Sequence, residues 1–232
     1  MLPKIQHPIF SVNLPLSKKT IRYRPMLVRE EKMLLIAKES KDINDIINNM
    51  AQVVQNCIMD DVDIENLPVV EFEFIFLNMR SRSIGNMIEL KYYDTYDRNV
   101  THDVNIDIDD IKIDVSKKFN TKIMLDDNIG IILKVPSLKL ARSIKNFNNL
   151  ADLGLDFICK CIDCIFDKEQ VYKAADYTHQ ELLDFIESLP PIQFSKIEKF
   201  FEELPTIKYT TSYKNSKGED VNIALTRLED FF

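Results

Sequence analysis

Glycine is scarce in this chain, with four among 232 residues, and Gly85, Gly130, Gly154 and Gly218 stand far apart. A phosphate cradle or a dinucleotide fingerprint needs clustered glycines so that backbone N–H groups can approach the ligand, and nucleotide chemistry by those routes is excluded. Histidine is scarcer still: His7, His102 and His179 lie in different segments, so no local two-histidine metal motif exists. A G-x-S-x-G nucleophile elbow is absent as well. No apolar run approaches the roughly 20 residues of a bilayer-spanning helix. The opening MLPKIQHPIF lacks the apolar core of a secretory signal, so a cytoplasm is the expected compartment. The four cysteines agree: Cys57 stands alone while Cys159, Cys161 and Cys164 crowd together, which is no spaced disulfide framework.

What is present supports a folded chain. Apolar residues make up 45%, and the length suffices for one large domain or two small ones with a sizeable core. Net charge is −7 but unevenly spread. Residues 1–40 carry eight Lys/Arg against three Glu, whereas residues 60–115 carry fourteen Asp/Glu against five Lys/Arg. Such a dipolar chain can steer docking onto charged partners or between copies. The acidic total argues against duplex nucleic acid as main partner, leaving Lys18, Lys19, Arg22 and Arg24 as a local basic patch.

The periodicity predicts an α+β fold. Ile9–Val12 and Thr20–Tyr23 read as an N-terminal hairpin closed by Pro25. Leu27–Lys38 reads as a helix, and Asp42 caps a second one carrying Ile43, Ile46, Ile47, Met50, Val53, Val54 and Cys57. Val70 to Phe76 fits strand and helix alike; Gly85 as a C-terminal cap decides for a helix. Beyond it the period becomes 2. Met87–Tyr92, His102–Ile108, Ile111–Val115, Lys122–Leu125 and Gly130–Val135 are expected as antiparallel strands. Leu150–Phe166, Thr178–Leu189 and Gln193–Leu204 are expected as helices. A C-terminal hairpin, Ile207–Tyr213 with Val221–Leu225, and a short helix Thr226–Phe232 finish the chain. The expected domains are 1–85, N-terminal hairpin plus helices; 86–136, an antiparallel β module; and 137–232, a helical region with hairpin and terminal helix.

Two constellations imitate metal sites. On a helix Cys161 and Cys164 lie about 60° apart and Cys159 points away from both, so core packing explains them better than zinc or an iron–sulfur cluster. Asp103, Asn105, Asp107, Asp109 and Asp114 mimic the oxygen spacing of a calcium loop, but Ile108 stands where the sharp turn needs glycine. A half-exposed strand is the simpler reading. Neither a metal nor another cofactor is expected.

Three segments carry more than their periodicity. FIFLNMRSRSIGNMIEL (residues 74–90), VREEK (28–32) and QFSKIEKFF (193–201), taken in order, resemble the baseplate hub proteins of T-even-type contractile-tailed phages. The likeness extends over nearly the whole chain, from LPKIQHPIF to the LEDFF tail. It implies a non-enzymatic structural or assembly protein of the hub, working through protein–protein interfaces. Its implied partners are other hub and tail proteins, with self-association, and no membrane. The implied location is the host cytoplasm during assembly and then the virion baseplate; the alternative is a hub chaperone absent from the mature virion. Similar proteins can carry CxxC pairs resembling zinc ribbons at two hairpin turns. Here those turns read Asp94-Thr95-Tyr96-Asp97 and Asn215-Ser216-Lys217-Gly218, without a thiolate. Strand pairing and tertiary packing would then replace metal cross-linking.

The residues expected to make contacts are Arg80, Arg82, Phe200, Phe201, Phe231 and Phe232. Arg80 and Arg82 interrupt an apolar block, and a guanidinium can hold a carboxylate in bidentate fashion. Phe194, Ile197, Phe200 and Phe201 share a helical stripe. The terminal Phe231-Phe232 pair would expose apolar surface unless docked.

Overall fold

The first strands, β1 (Phe10–Asn13) and β2 (Thr20–Tyr23), pair antiparallel with Val12 opposite Ile21. Val12, Leu14, Ile21 and Tyr23 are buried. Their connection is pinned by Glu71 from further along the chain, whose Oε1 accepts from the N–H groups of Leu16 (2.7 Å) and Ser17 (2.9 Å). The computed structural model describes residues 3, 5–39, 43–117, 119–142 and 154–226. Asp42 as a cap and the terminal helix beyond Thr226 lie outside the described residues.

Helix α1 (Val28–Lys38) begins one residue later than expected, and α2 (Ile43–Cys57) buries Met50, Val53, Val54 and Cys57 at the spacing of one helical face. The exit of α2 closes back on β2 through a bridge between Tyr23 and Ile58. Helix α3 (Val69–Ile84) ends at Gly85, whose φ of 128° only glycine adopts freely. Val70, Phe72, Ile75, Phe76, Leu77 and Met79 are all buried, so α3 presents apolar residues to several neighbours at once. That crowding explains why its sequence alternates ambiguously. Next come β3 (Met87–Tyr93), β4 (Thr101–Asp107) and β5 (Lys112–Asp114), with β3 and β4 antiparallel in a register that sets Leu90 opposite Val104.

Two compact units divide the chain: Met1–Asp114 with Thr206–Phe232, and Val115–Pro205. The strands read as one middle module over 86–136 lie in both. In the second unit β6 (Lys122–Met124), β7 (Gly130–Leu133), β8 (Ile162–Phe166) and β9 (Val171–Lys173) form one antiparallel sheet in that order. Helices α4 (Leu138–Arg142), α5 (Gly154–Cys161), α6 (His179–Glu187) and α7 (Pro191–Glu202) belong to the same unit. Its core joins Leu125, Ile131, Leu133, Ile162, Ile186 and Ile197.

The helix expected over Leu150–Phe166 is corrected: it ends at Cys161, and Ile162–Phe166 is the strand β8. Its isoleucines and alternating burial suit a strand hydrogen-bonded on both edges, by β7 and by β9. The Leu150 end of that reading lies outside the described residues. The short strand β9 was not expected. Helix α7 starts at Pro191, where proline's missing N–H costs nothing. The chain then returns to the first unit as β10 (Thr206–Lys214) and β11 (Asp220–Leu225), the expected hairpin. β10 also pairs with β5, Ile207 opposite Ile113. The architecture is α+β, with several small antiparallel sheets and hairpins at both ends of the described chain.

Candidate interaction site

The arginines of the opening segment are held by carboxylates. Arg22 grips Asp60 with Nε at 2.9 Å and Nη2 at 2.6 Å from the same oxygen. Arg24 and Arg29 both reach Glu30, which is fully buried, at 3.0 and 2.7 Å, and Glu30 also accepts from the Leu27 N–H at 2.8 Å. Burial alone would raise the Glu30 pKa, but hydrogen bonds from Arg24, Arg29 and Leu27 outweigh it and hold the carboxyl at about 2. The VREEK turn is therefore organised around an ion network inside the first unit.

Arg80 is half-buried on α3, and burial draws its pKa down. Arg82 is exposed, lies 3.5 Å from Asp109, and stands over the Phe10 ring at 5.7 Å. Ser81 donates to the same Asp109 oxygen at 2.9 Å. In the second unit Phe200 is 4% exposed and stacks on Phe119 at 5.5 Å, which leaves little of its ring for a partner. Phe201 is half-buried, edge-on to Phe200 and tilted against Phe157 at 5.6 Å. Phe231 and Phe232 lie outside the described residues.

The most elaborate polar arrangement joins the two turns that lack thiolates. Asp94, at the end of β3, is 3% exposed although it is an acid in a turn. Its Oδ1 accepts from the N–H groups of Tyr96 (2.8 Å) and Asp97 (3.1 Å) and from Ser216 Oγ (2.7 Å). Its Oδ2 accepts from the Ser216 N–H at 2.6 Å and lies 2.8 Å from His102 Nε2. The first pair is an Asx turn, local and readable in sequence; the Ser216 and His102 contacts are not. Hydrogen bonding to Ser216 above all, with Tyr96 and His102 assisting, holds the Asp94 carboxyl far below the usual range.

Around this carboxylate the hairpin tips are laced together. Asn215 Nδ2 donates to Glu219 at 3.0 Å and to Thr95 Oγ1 at 3.3 Å, while Tyr96 OH donates to Glu219 at 3.0 Å. Tyr213 OH donates to the Tyr93 carbonyl at 3.2 Å, and the Tyr213 ring stacks on His102 at 4.5 Å. Lys217 Nζ sits 3.5 Å from the centre of the Tyr96 ring. The clasp leaves Tyr93 70% exposed and Tyr96 54% exposed on the joined tips. Sequence reading missed this pair of tyrosines because nothing in a turn's composition distinguishes a held ring from a free one.

Among the described residues no group of three or more His, Cys, Asp or Glu could hold a metal ion. Cys159 and Cys161 are buried at the end of α5 and Cys164 on β8, and burial pushes the Cys159 and Cys161 thiols up to about 11 and about 12. The Asp103–Asp114 run is β4, a turn of 3₁₀-helix and β5. A cleft of about 370 Å³ opens in the second unit beside Phe166, Tyr172 and Phe185, with Asp167 and Glu181 at its lining. No helix among the described residues is long and apolar enough to cross a membrane.

The described residues form a helical and hairpin scaffold whose turns are tied by interlocked polar contacts. The model of the family described as T4 bacteriophage base plate protein matches residues 7–232, and the chain belongs to that family. No curated protein and no solved structure matches it.

Proposed function

We propose that this baseplate protein serves the hub, as a structural or assembly component that acts through protein–protein interfaces and not through catalysis. The observation that carries this reading is the Asp94 clasp, which joins two hairpin tips into one surface and presents Tyr93 and Tyr96 on it. Tyrosine is enriched at interface centres because it offers large contact area at low entropic cost, and a preorganised tip pays less to bind. Arg80, Arg82, Phe201 and the terminal Phe231-Phe232 pair are further contact candidates; Phe200, buried and edge-on to Phe201, backs that ring alone.

Affinity capture from infected cells tests the reading. Tagged protein is expected to bring down hub and tail proteins, and the Tyr93→Ser variant, altered at an exposed side chain beside the clasp, is expected to lose them while still folding. Capture of no tail protein by the wild type would overturn it. Peptide analysis of purified particles then separates the two versions: detection marks a retained subunit, whereas absence together with captured hub intermediates marks a chaperone. Deleting Leu228–Phe232 adds a second reading, since a folded protein that no longer captures the hub assigns the tail to a partner.

A further inference from the structure

Helix α1 has two unlike faces. Glu30 and Ala37, one heptad apart, are buried at 0% and 3% exposure, whereas Val28, Leu35 and Ile36 are 81%, 61% and 60% exposed. At 3.6 residues per turn, Val28, Lys32, Leu35 and Glu39 succeed one another on a single line, with Ile36 beside it. Lys32 and Glu39 are exposed too. Leu35 and Ile36 are thus adjacent large aliphatic side chains exposed together on the outward side, with Val28 two turns before them.

The placement of charge on this stripe says what can cover it. Lys32 and Glu39 lie at equal distances, about 5 Å of helix rise, on either side of the midpoint between Leu35 and Ile36. A second α1 laid antiparallel about that midpoint meets Leu35 with Ile36 and Lys32 with Glu39, twice by symmetry. A parallel pairing in register would set lysine against lysine and glutamate against glutamate. Self-complementarity under a two-fold axis is the mark of an isologous contact, and opposite charges flanking an apolar centre select orientation as they do in coiled coils.

We propose that the outward stripe of α1 is a two-fold contact between copies of this chain, formed by antiparallel packing about Leu35 and Ile36. One helix stripe is smaller than a standard permanent interface, so the dimer is weak and exchanges as assembly proceeds, with a dissociation constant on the order of tens of micromolar. This contact is separate from the clasped tips and stands whether or not they bind the hub.

Sedimentation of the full chain over a concentration series from about 5 to about 500 μM, bracketing that affinity, provides the test. The wild type is expected to pass from monomer to dimer, and Leu35→Glu to stay monomeric. Lys32→Glu and Glu39→Lys, each replacing two attractions by two repulsions, are each expected to weaken the dimer about tenfold. The Lys32→Glu/Glu39→Lys double variant is expected to recover it, an outcome that general destabilisation cannot produce, with circular dichroism reporting that each variant folds. A wild type that remains monomeric throughout overturns the proposal. So does a dimer indifferent to Leu35→Glu, or one that the double charge exchange fails to restore.

Discussion

Asp94 and Ser216, 122 residues apart in the chain, are joined by two hydrogen bonds, Ser216 N–H at 2.6 Å to one carboxylate oxygen and Ser216 Oγ at 2.7 Å to the other. A single buried acid thereby fastens the β3–β4 turn to the β10–β11 turn. One carboxylate, with donors from both turns converging on it, ties the two together. The cost of burying the charge is offset by the number of donors facing it.

Replacing Asp94 by asparagine therefore harms more than its size suggests. The amide keeps the shape but turns one acceptor into a donor facing the donors of Ser216 or Tyr96, leaving buried groups unsatisfied. The expected result is a melting temperature lower by about 5 °C or more, read by calorimetry. Hydrogen exchange should accelerate at residues 94–100 and 215–219 while α2 stays protected. Unchanged exchange at both turns would show that strand pairing alone holds them.

Acid should unfasten the same contacts. Asp94 and Glu30 both have folded pKa values below their ordinary ones, 3.8 and 4.5, so each contributes stability that is complete above about pH 5. As pH falls through the ordinary range the unfolded chain takes up these protons first, and the contribution drains away until the folded carboxyls titrate, near pH 2 for Glu30. Thermal melts between pH 7 and pH 3 are expected to show a plateau and then a decline. Glu30→Gln should shallow that decline, and an equally steep curve would assign it to other acids.

Gly130 sits at a close approach to a neighbouring ring, and its backbone is unstrained. A Cβ there would run into the Phe166 ring on the neighbouring strand β8. Gly130→Ala should cost about 1–3 kcal/mol in urea unfolding, the range for overpacking. Phe166→Leu in the same chain should recover part of it by removing the ring. A neutral Gly130→Ala would mean that the ring swings away freely into the adjoining cleft.

The two arginines of α3 differ in what a lysine exchange should do. Arg82 pairs with Asp109 at the surface, where an ion pair contributes little, so Arg82→Lys is expected to change stability by less than about 0.5 kcal/mol. Arg80 is half-buried, and lysine there loses the planar fork of donors, so the larger loss should follow Arg80→Lys. Unchanged melting and unchanged capture of tail proteins in the double variant would remove both from the list of contact residues.

Local chemistry alone determined much of this molecule. The spacing of Met50, Val53, Val54 and Cys57 specifies α2, Gly85 specifies the end of α3, and the polar turns specify the hairpins, because helix periods, caps and turns depend on residues a few positions apart. The order of the motifs was enough for the family. Only the tertiary structure could decide that Ile162–Phe166 is a strand, since that run is apolar enough for either state and becomes β8 by filling the space between β7 and β9. Likewise β5 finds β10, and Asp94 finds Ser216, across stretches of chain over which no local propensity acts. Such contacts form when packing brings distant turns together, and their partners are chosen by geometry, not by neighbours in sequence.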